Sequence, residues 1–311
     1  MNDQDVAAAR ALISDLKLVR SPGSVEIARL GGLTNRVYRI GAGEGALCLR
    51  LPGKGTEEYI DRRVEAIAAR AAAQAGVSPE VVHADPSTGV LVTRFIADAV
   101  TMTPALFASR DGAPERAGRA FHELHRSGAV FDFRFELFSM IDNYLALLAK
   151  KKVDFPEGYH DVLEEAEAVR EALARHPVAL AACHCDPLSE NFLDTGERMW
   201  IVDWEYSGMN DPMWDLGDLA VEAAFGEGQE EAMLRAYFSG SPSDFDRGRM
   251  VIYKAMCDLL WTLWGLIQFA NDNPAEDFWA YSVNRFRRCK ALMEAPAFAG
   301  HLAAIRRGPR V

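Results

Sequence analysis

The amino-acid sequence predicts a mixed α/β (α+β) protein, in which a small antiparallel sheet with one main helix precedes a larger, mostly helical part. Two observations predict this arrangement. The first third of the chain holds five short β-type runs around one helical pattern, and the rest holds seven helical patterns interrupted by one β-type segment at residues 178–204. A chain of 311 residues also allows two domains of roughly 150 residues each. We therefore expect a first domain at 1–97 and a second at 98–311.

The predicted sheet consists of five β-type runs. They lie at residues 24–30, 36–40, 46–51, 80–85 and 89–96. In the third run Leu47, Leu49 and Leu51 alternate with Cys48 and Arg50. Because successive side chains of a strand point to opposite faces, we expect Arg50 to lie on the face away from the leucines.

One helix is predicted between the third and fourth runs. Ile60, Val64 and Ile67 recur there at helical spacing. Thr56 is followed by two glutamates, a pattern typical of an N-cap with acidic residues in the first turn. Gly76 is expected to end this helix.

The second part contains seven predicted helices. They lie at residues 114–126, 137–150, 157–176, 212–225, 227–238, 245–270 and 275–293. Asp211 and Pro212 form a typical helix start, with Asp at the N-cap and Pro in the first turn. Asp215, Asp218 and Glu222 follow on one face of that helix. This acidic stripe is either a solvated surface or part of a binding site.

Charge and composition exclude several classes of partner. The chain has 34 Lys and Arg against 45 Asp and Glu, a formal net charge of −11, which disfavours nucleic acids and anionic membranes. The N-terminal segment is acidic and lacks the pattern of a signal peptide, and the most apolar stretch, at 259–270, is too short to span a bilayer. Five cysteines, odd in number and irregularly spaced, argue against a disulfide framework. We expect a cytoplasmic protein.

A polar motif lies within the β-type segment that interrupts the helices. It reads HCDPLSENFL and is followed, after a turn, by IVDWE. Phosphoryl transfer by kinases needs an Asp that orients the substrate hydroxyl, together with an Asn and a second Asp on magnesium. Asp186, Asn191 and Asp203 have this order and spacing. Any one of them alone would be read as a turn or cap residue, but the three in register predict kinase chemistry.

The chain resembles the choline/ethanolamine kinases, within the protein-kinase-like and aminoglycoside-phosphotransferase-like superfamily. The likeness is strongest to bacterial choline kinases linked to lipopolysaccharide decoration. It is carried by GGLTNRVYRI at 31–40, CLRLPG at 48–53, FHELHRSG at 121–128, HCDPLSENFL at 184–193 and IVDWEYSGMNDPMWDLGDLAVE at 201–222. The resemblance implies a two-lobed protein-kinase-like fold that uses ATP and Mg²⁺, with Asn191 and Asp203 on the metal.

The resemblance also implies a nucleotide site in the first lobe. Arg50 would neutralise phosphate charge, and Glu65 would hold it as the Lys–Glu pair does in protein kinases. Backbone groups of Arg94 and Ile96 would face the adenine. The implied phosphate loop consists of Gly31, Gly32, Thr34 and Asn35.

On the acceptor side the resemblance implies a pocket for a small cationic alcohol. Tyr206, Trp261 and Trp264 would form its aromatic walls, with Glu222 as a nearby carboxylate and Asp186 on the hydroxyl. The pattern alone favours core packing for the two tryptophans. Choline or ethanolamine is the expected acceptor. Thiamine, an aminoglycoside and a catalytically silent binding module remain alternatives, and the sequence does not predict an oligomeric state.

Overall fold

Five strands near the N-terminus form one antiparallel sheet with the order β1-β2-β3-β5-β4. The computed structural model describes residues 3–31, 35–41, 45–53 and 60–309. The strands are β1 Ile27–Gly31, β2 Arg36–Ile40, β3 Leu47–Leu51, β4 Val81–Asp85 and β5 Val90–Arg94. All five predicted runs are therefore confirmed, with ends that differ by a few residues at most.

The central strand β3 separates a small apolar core from the cleft. Leu47, Leu49 and Leu51 are buried against a helix that the sequence did not single out, α1 at Asp3–Asp15. Ile13 of α1 belongs to the same apolar cluster. Arg50 lies on the opposite face, as its alternation with the leucines predicts, and is itself only 6% exposed.

Helix α2 spans Arg62–Gln74 and joins the sheet to the rest of the molecule. Asp61 is its N-cap and accepts hydrogen bonds from the backbone N–H groups of Arg63 and Val64 at 2.9 and 3.3 Å. The predicted cap at Thr56 is therefore wrong for this helix, and Thr56 itself lies outside the described residues. Ala68 and Ala72 on the buried face of α2 pack into the large helical core.

Helices dominate the remainder of the chain. They are α3 Pro104–Ser109, α4 Ala113–Arg126, α5 Leu137–Lys151, α6 Tyr159–Arg175, α7 Pro212–Glu222, α8 Glu227–Phe238, α9 Asp244–Ala270, α10 Phe278–Glu294 and α11 Pro296–Arg307. The seven predicted helices are confirmed, whereas α3 and α11 were not predicted. The fold class is the expected one, and the division at residue 97 stays a prediction.

Helix α9 is the centre of the helical part, where α5, α7, α10 and α11 pack around it. Among the described helices it alone has the length and composition to cross a membrane, with 27 residues. In the fold, 83% of its most apolar window is buried. The apolar window of α9 is longer than the stretch at 259–270 on which the sequence argument was based, and burial in the core accounts for its apolar character.

Short strands position the polar motif between the two parts. β7 Ala181–Cys183 pairs with β10 Gly208–Asn210, and β8 Phe192–Asp194 lies between β6 Val100–Thr101 and β9 Met199–Ile201. The loop from β7 to β8 therefore carries Asp186 and Asn191, and the segment after β9 carries Asp203. Pairing of β8 with β9 brings the two segments side by side.

Candidate active site

The loop that follows β7 is held from below by one buried carboxylate. Asp215 on α7 is fully buried and accepts hydrogen bonds from the backbone N–H groups of His184 and Cys185, at 2.7 and 2.8 Å. His125 of α4 contacts the same carboxylate at 3.0 Å. Asp215, His125 and Cys183 also lie close enough for a metal ion, but these hydrogen bonds already occupy both oxygens of Asp215. These hydrogen bonds fix the position of the loop that carries Asp186.

His184 supports the loop rather than acting on a substrate. Its Nδ1 accepts a hydrogen bond from the backbone N–H of Asp186 at 3.3 Å, so Nε2 donates to the carbonyl oxygen of Val202 at 2.9 Å. Burial lowers the pKa of His184, which favours the neutral ring that this pattern requires. The imidazole therefore ties the loop to the segment that carries Asp203.

Asp186, Asn191 and Asp203 lie together, as the motif predicts. The side-chain amide of Asn191 donates to the carbonyl oxygen of Asp186 at 3.0 Å, which leaves the Asn191 Oδ1 oxygen for a ligand. The backbone N–H of Val202 donates to the Asn191 carbonyl at 2.9 Å. Asp203 has a φ of 68°, in the left-handed region that non-glycine residues rarely adopt, and such conformations concentrate at functional sites.

The site has an excess of negative charge. Burial raises the pKa of Asp186 well above its ordinary value, and the charges of Glu222 and Asp203 raise it further. Burial also raises the pKa of Asp203, although the Arg50 guanidinium opposes the shift. Clustered carboxylate and amide oxygens are the hard ligands that Mg²⁺ prefers. The donor set therefore fits the metal that the resemblance implies.

Arg50 is buried among the carboxylates of Glu65, Asp203 and Glu205. We call these four residues, together with Arg62, the Arg50 cluster. The Arg50 guanidinium contacts Glu65, lies 2.9 Å from Asp203 Oδ1 and 3.8 Å from Glu205 Oε2. The expected pairing of Arg50 with Glu65 is thus present. Burial alone would lower the pKa of Arg50, but the three carboxylates outweigh it and raise the pKa above its usual range.

Glu205 and Arg62 complete this cluster, and the sequence predicted neither. Arg62 Nη1 lies 2.9 Å from Glu65 and 3.1 Å from Glu205. The side-chain amide of Asn35 donates to Glu205 at 3.2 Å, so this residue of the implied phosphate loop borders the cluster. Burial and the charge of Asp203 raise the pKa of Glu205 to about 7.

The implied phosphate loop and adenine hinge are only partly described. Gly31 ends β1, whereas Gly32 and Thr34 lie outside the described residues. At the hinge, the backbone N–H of Arg94 donates to the Glu80 carbonyl at 2.9 Å and is not available to a nucleotide. Within the described part of the chain, the backbone N–H of Ile96 has no acceptor.

Five aromatic rings surround the other side of the site. This aromatic cluster consists of Tyr206, Trp261, Trp264, Phe278 and Tyr281. The Trp261 ring lies 5.6 Å from that of Tyr206 and 6.5 Å from that of Trp264, both edge to face. The indole N–H of Trp264 donates to the Tyr206 hydroxyl at 3.1 Å. Trp261 is buried, but Trp264 and Tyr206 are half-buried, so core packing accounts for only part of the cluster.

Glu222 does not present a free carboxylate. It forms an ion pair with Arg285 of α10, and Arg285 also lies 3.2 Å from Asp258. Arg288 contacts Asp258 at 2.6 Å. We call these four residues the Arg285 cluster. The interpretation of the acidic stripe on α7 as a solvated surface is wrong, because its first two members, Asp215 and Asp218, are no more than 1% exposed.

Comparison with known proteins identifies the family. Residues 26–253 match the phosphotransferase enzyme family. The chain belongs to this family. The match spans both the Arg50 cluster and the loop with Asp186, and it ends inside α9.

Within this family, the phosphotransferase is similar to solved structures of choline kinases. It is 63% identical to a choline/ethanolamine kinase family protein from Mesorhizobium loti, with a TM-score of 0.89 and coverage of 97% of this chain and 99% of the other. It is 27% identical to choline kinase LicA from Streptococcus pneumoniae, with a TM-score of 0.74 and coverage of 96% and 98%. A structure of LicA in complex with AMP is 26% identical, with a TM-score of 0.71 and the same coverage. The resemblance seen in the motifs is confirmed.

Besides Glu205 and Arg62, sequence reasoning missed two further residues of the phosphotransferase site. Tyr281 and Arg285 lie on α10, one turn apart, and contribute a ring to the aromatic cluster and a cation to Glu222. The Arg285 guanidinium lies over the Tyr281 ring, 4.9 Å from its centre. The only signal in the sequence is their spacing of four residues on a helix, which is too common to identify a site.

Proposed function

We propose that this phosphotransferase transfers the γ-phosphoryl group of ATP to the hydroxyl of choline. The observation that carries the proposal is the position of Asp186 between two different surroundings. Asn191 and Asp203, with oxygen atoms suited to a metal, lie beside Asp186, and Asp186 is also close enough to interact electrostatically with Tyr281 of the aromatic cluster. A kinase-like fold and a relative solved with AMP support nucleotide binding.

In this proposal Asp186 orients the acceptor hydroxyl and accepts its proton. In the empty site, burial and the neighbouring carboxylates raise its pKa above the ordinary value and so disfavour its charged form. The arrival of cationic ligands lowers that pKa and gives the carboxylate needed for the reaction. Positioning and electrostatic stabilisation supply most of the rate in phosphoryl transfer.

Asn191 and Asp203 are the residues proposed to hold Mg²⁺. The Asn191 Oδ1 oxygen is left over by its hydrogen bond to Asp186, and Asp203 offers its carboxylate. Bound Mg²⁺ would offset negative charge on the phosphates. Arg50 would contribute a second positive charge there, held in place by Glu65.

The aromatic cluster favours a quaternary ammonium over a primary one. Aromatic faces attract a trimethylammonium group through the ring quadrupole, whereas a primary ammonium needs hydrogen-bond acceptors. The indole N–H groups of Trp264 and Trp261 are donors, bonded to the Tyr206 hydroxyl and to Asp218, so the two indoles offer a primary ammonium no acceptor. Ethanolamine, thiamine and aminoglycosides are therefore weaker candidates, and the intact Asp186, Asn191 and Asp203 argue against a silent binding module.

Phosphorus NMR of the reaction mixture tests the proposal. The purified chain with ATP, Mg²⁺ and choline should give ADP and phosphocholine in equal amounts. Chelation of the metal with EDTA should stop the reaction, and added Mg²⁺ should restore it. Formation of ADP without phosphocholine, or no turnover of choline, would contradict the assignment.

A further inference from the structure

One carboxylate beside the aromatic cluster has no cationic partner. Asp218 lies on α7 and is 1% exposed. Its Oδ2 oxygen accepts a hydrogen bond from the indole N–H of Trp261 at 3.3 Å. Its Oδ1 oxygen is buried and has no hydrogen-bond partner among the residues that the structure describes. A buried carboxylate of this kind is costly to ionise unless a cation compensates its charge.

The Arg285 cluster beside Asp218 is balanced in charge without it. In the Arg285 cluster, two guanidinium groups face the two carboxylates of Glu222 and Asp258. No Lys, Arg or His in the described ranges lies within 4.0 Å of Asp218. The Asp218 carboxylate at the edge of the aromatic cluster is therefore left without a counter-charge.

The surroundings disfavour ionisation of Asp218 in the empty site. Burial raises its pKa well above the ordinary value, and the charges of Glu222 and Asp186 raise it further. Arg285 and the hydrogen bond from Trp261 oppose the shift. A permanent cation bound beside Asp218 would remove this penalty, because an opposite charge at short range favours the carboxylate.

Glu222 is less suited to the same task. Its carboxylate is already paired with Arg285, so a bound ammonium would meet a neutral ion pair rather than a net negative charge. Asp218 instead shares Trp261 with the aromatic cluster, which links the unmatched charge to the proposed ammonium walls.

We propose that Asp218 provides the counter-charge for the ammonium group of the acceptor and distinguishes choline from a neutral alcohol of the same shape. This inference rests on the proposed function. In this inference Asp218 selects the acceptor by its positive charge, the aromatic rings select it by its shape, and Asp186 takes part in the transfer.

The test compares choline with 3,3-dimethylbutan-1-ol, in which carbon replaces the nitrogen. The native chain should show a higher kcat/KM for choline. In Asp218→Asn this preference should fall by about tenfold or more, since close charge pairs contribute at least that factor. The loss should appear in the KM for choline, with the kcat/KM for the neutral alcohol and the KM for ATP nearly unchanged. The amide oxygen of Asn can still accept the Trp261 hydrogen bond.

Two further variants provide controls. Glu227→Gln removes the same charge from an exposed position at the start of α8 and should leave the preference unchanged. Asp218→Glu keeps the charge and should retain most of the preference. Loss of activity on both alcohols in Asp218→Asn and Asp218→Glu, with loss of the thermal unfolding transition, would make Asp218 structural and overturn the inference.

The outcomes separate this inference from the proposed function. A native chain that prefers choline, with the same preference in Asp218→Asn, would overturn the role of Asp218 alone. Equal use of choline and the neutral alcohol by the native chain would also overturn it. A native chain that phosphorylates neither alcohol would overturn both the role and the function.

Discussion

The two sides of the catalytic loop each contain a buried arginine paired with a glutamate from a helix, but the pairs differ in balance. Arg50 and Arg62 face three carboxylates, and one of these, Asp203, is a proposed metal ligand. On the other side Arg285 and Arg288 face two carboxylates, neither of which belongs to the predicted metal site.

This difference indicates separate tasks for similar ion pairs. The Arg50 cluster has an excess negative charge and includes Asp203, the proposed metal ligand. Binding of a metal and phosphates would therefore change the contact between Arg50 and Asp203. The charges of the Arg285 cluster are balanced without a ligand, so this cluster can hold Glu222 on α7 against the middle of α10. The unmatched charge on that side is Asp218.

The largest expected effect comes from Asp186, which lies between the two clusters. Asp186→Ala should lower kcat by about a hundredfold to ten-thousandfold, the range for loss of a positioned general base. The thermal unfolding temperature should not fall, because the surroundings of the half-buried carboxylate raise its pKa and disfavour its charge. Near-native turnover in this variant would contradict the assignment of Asp186, and calorimetry should show that ATP binding persists.

The free energy of unfolding tests whether the Arg285 cluster supports the fold. Arg285→Met leaves Glu222 and Asp258 buried without this partner and should lower the free energy of unfolding by about 3–5 kcal/mol. Lys290→Met on the same helix breaks an exposed pair with Glu294 at 3.9 Å and should cost about 0.5 kcal/mol or less. Denaturant unfolding of both variants measures the difference. Equal losses would show that the Arg285 cluster is not a structural support.

Thiol labelling compares the surroundings of the two clusters. Burial, opposed by Arg50, raises the pKa of Cys48 to about 11 from an ordinary value of 9.0. At pH 8 its thiolate fraction, and hence its labelling rate, should be roughly 100-fold lower than in the denatured chain. Cys257, beside the other cluster, is fully buried and should label more slowly still. Mass spectrometry of peptides gives both rates, and faster labelling of Cys257 would be inconsistent with this packing.

The smallest effect is expected from a single wall of the aromatic cluster. Trp264→Leu removes one ring and the hydrogen bond to Tyr206. A cation–π contribution of about 0.5–2 kcal/mol predicts a rise in the KM for choline of about 2- to 30-fold. The KM for ATP should not change. Steady-state kinetics with each substrate varied in turn gives both values, and a rise in the KM for ATP alone would exclude this role for Trp264.

Local patterns were sufficient to predict most of the fold. Alternating leucines gave the face of Arg50 on β3, and Asp211 with Pro212 gave the start of α7, where Asp211 accepts the backbone N–H of Met213 at 2.9 Å. Helix α1 was missed because it buries few large side chains, Ile13 among them. The cap of α2 was misplaced because Thr56 and Asp61 are both suitable N-cap residues.

The site could be predicted less completely, because its contacts join distant parts of the chain. The spacing of Asp186, Asn191 and Asp203 was sufficient to predict that they lie together, because they belong to one hairpin and its loop. Arg285 lies 63 residues from Glu222, and no local pattern indicates that pairing. Buried carboxylates on α7 also have the same spacing as a solvated stripe, so Asp218 is distinguished only by its burial in the fold.

The central claim is that the aromatic cluster and a buried carboxylate recognise the acceptor, while the motif residues carry out the transfer. The preference between choline and ethanolamine tests this claim most directly. The measurement is the ratio of kcat/KM for the two alcohols with ATP and Mg²⁺. We predict that choline is the better substrate of the native chain. Equal or higher kcat/KM for ethanolamine would contradict the role given to the tryptophans.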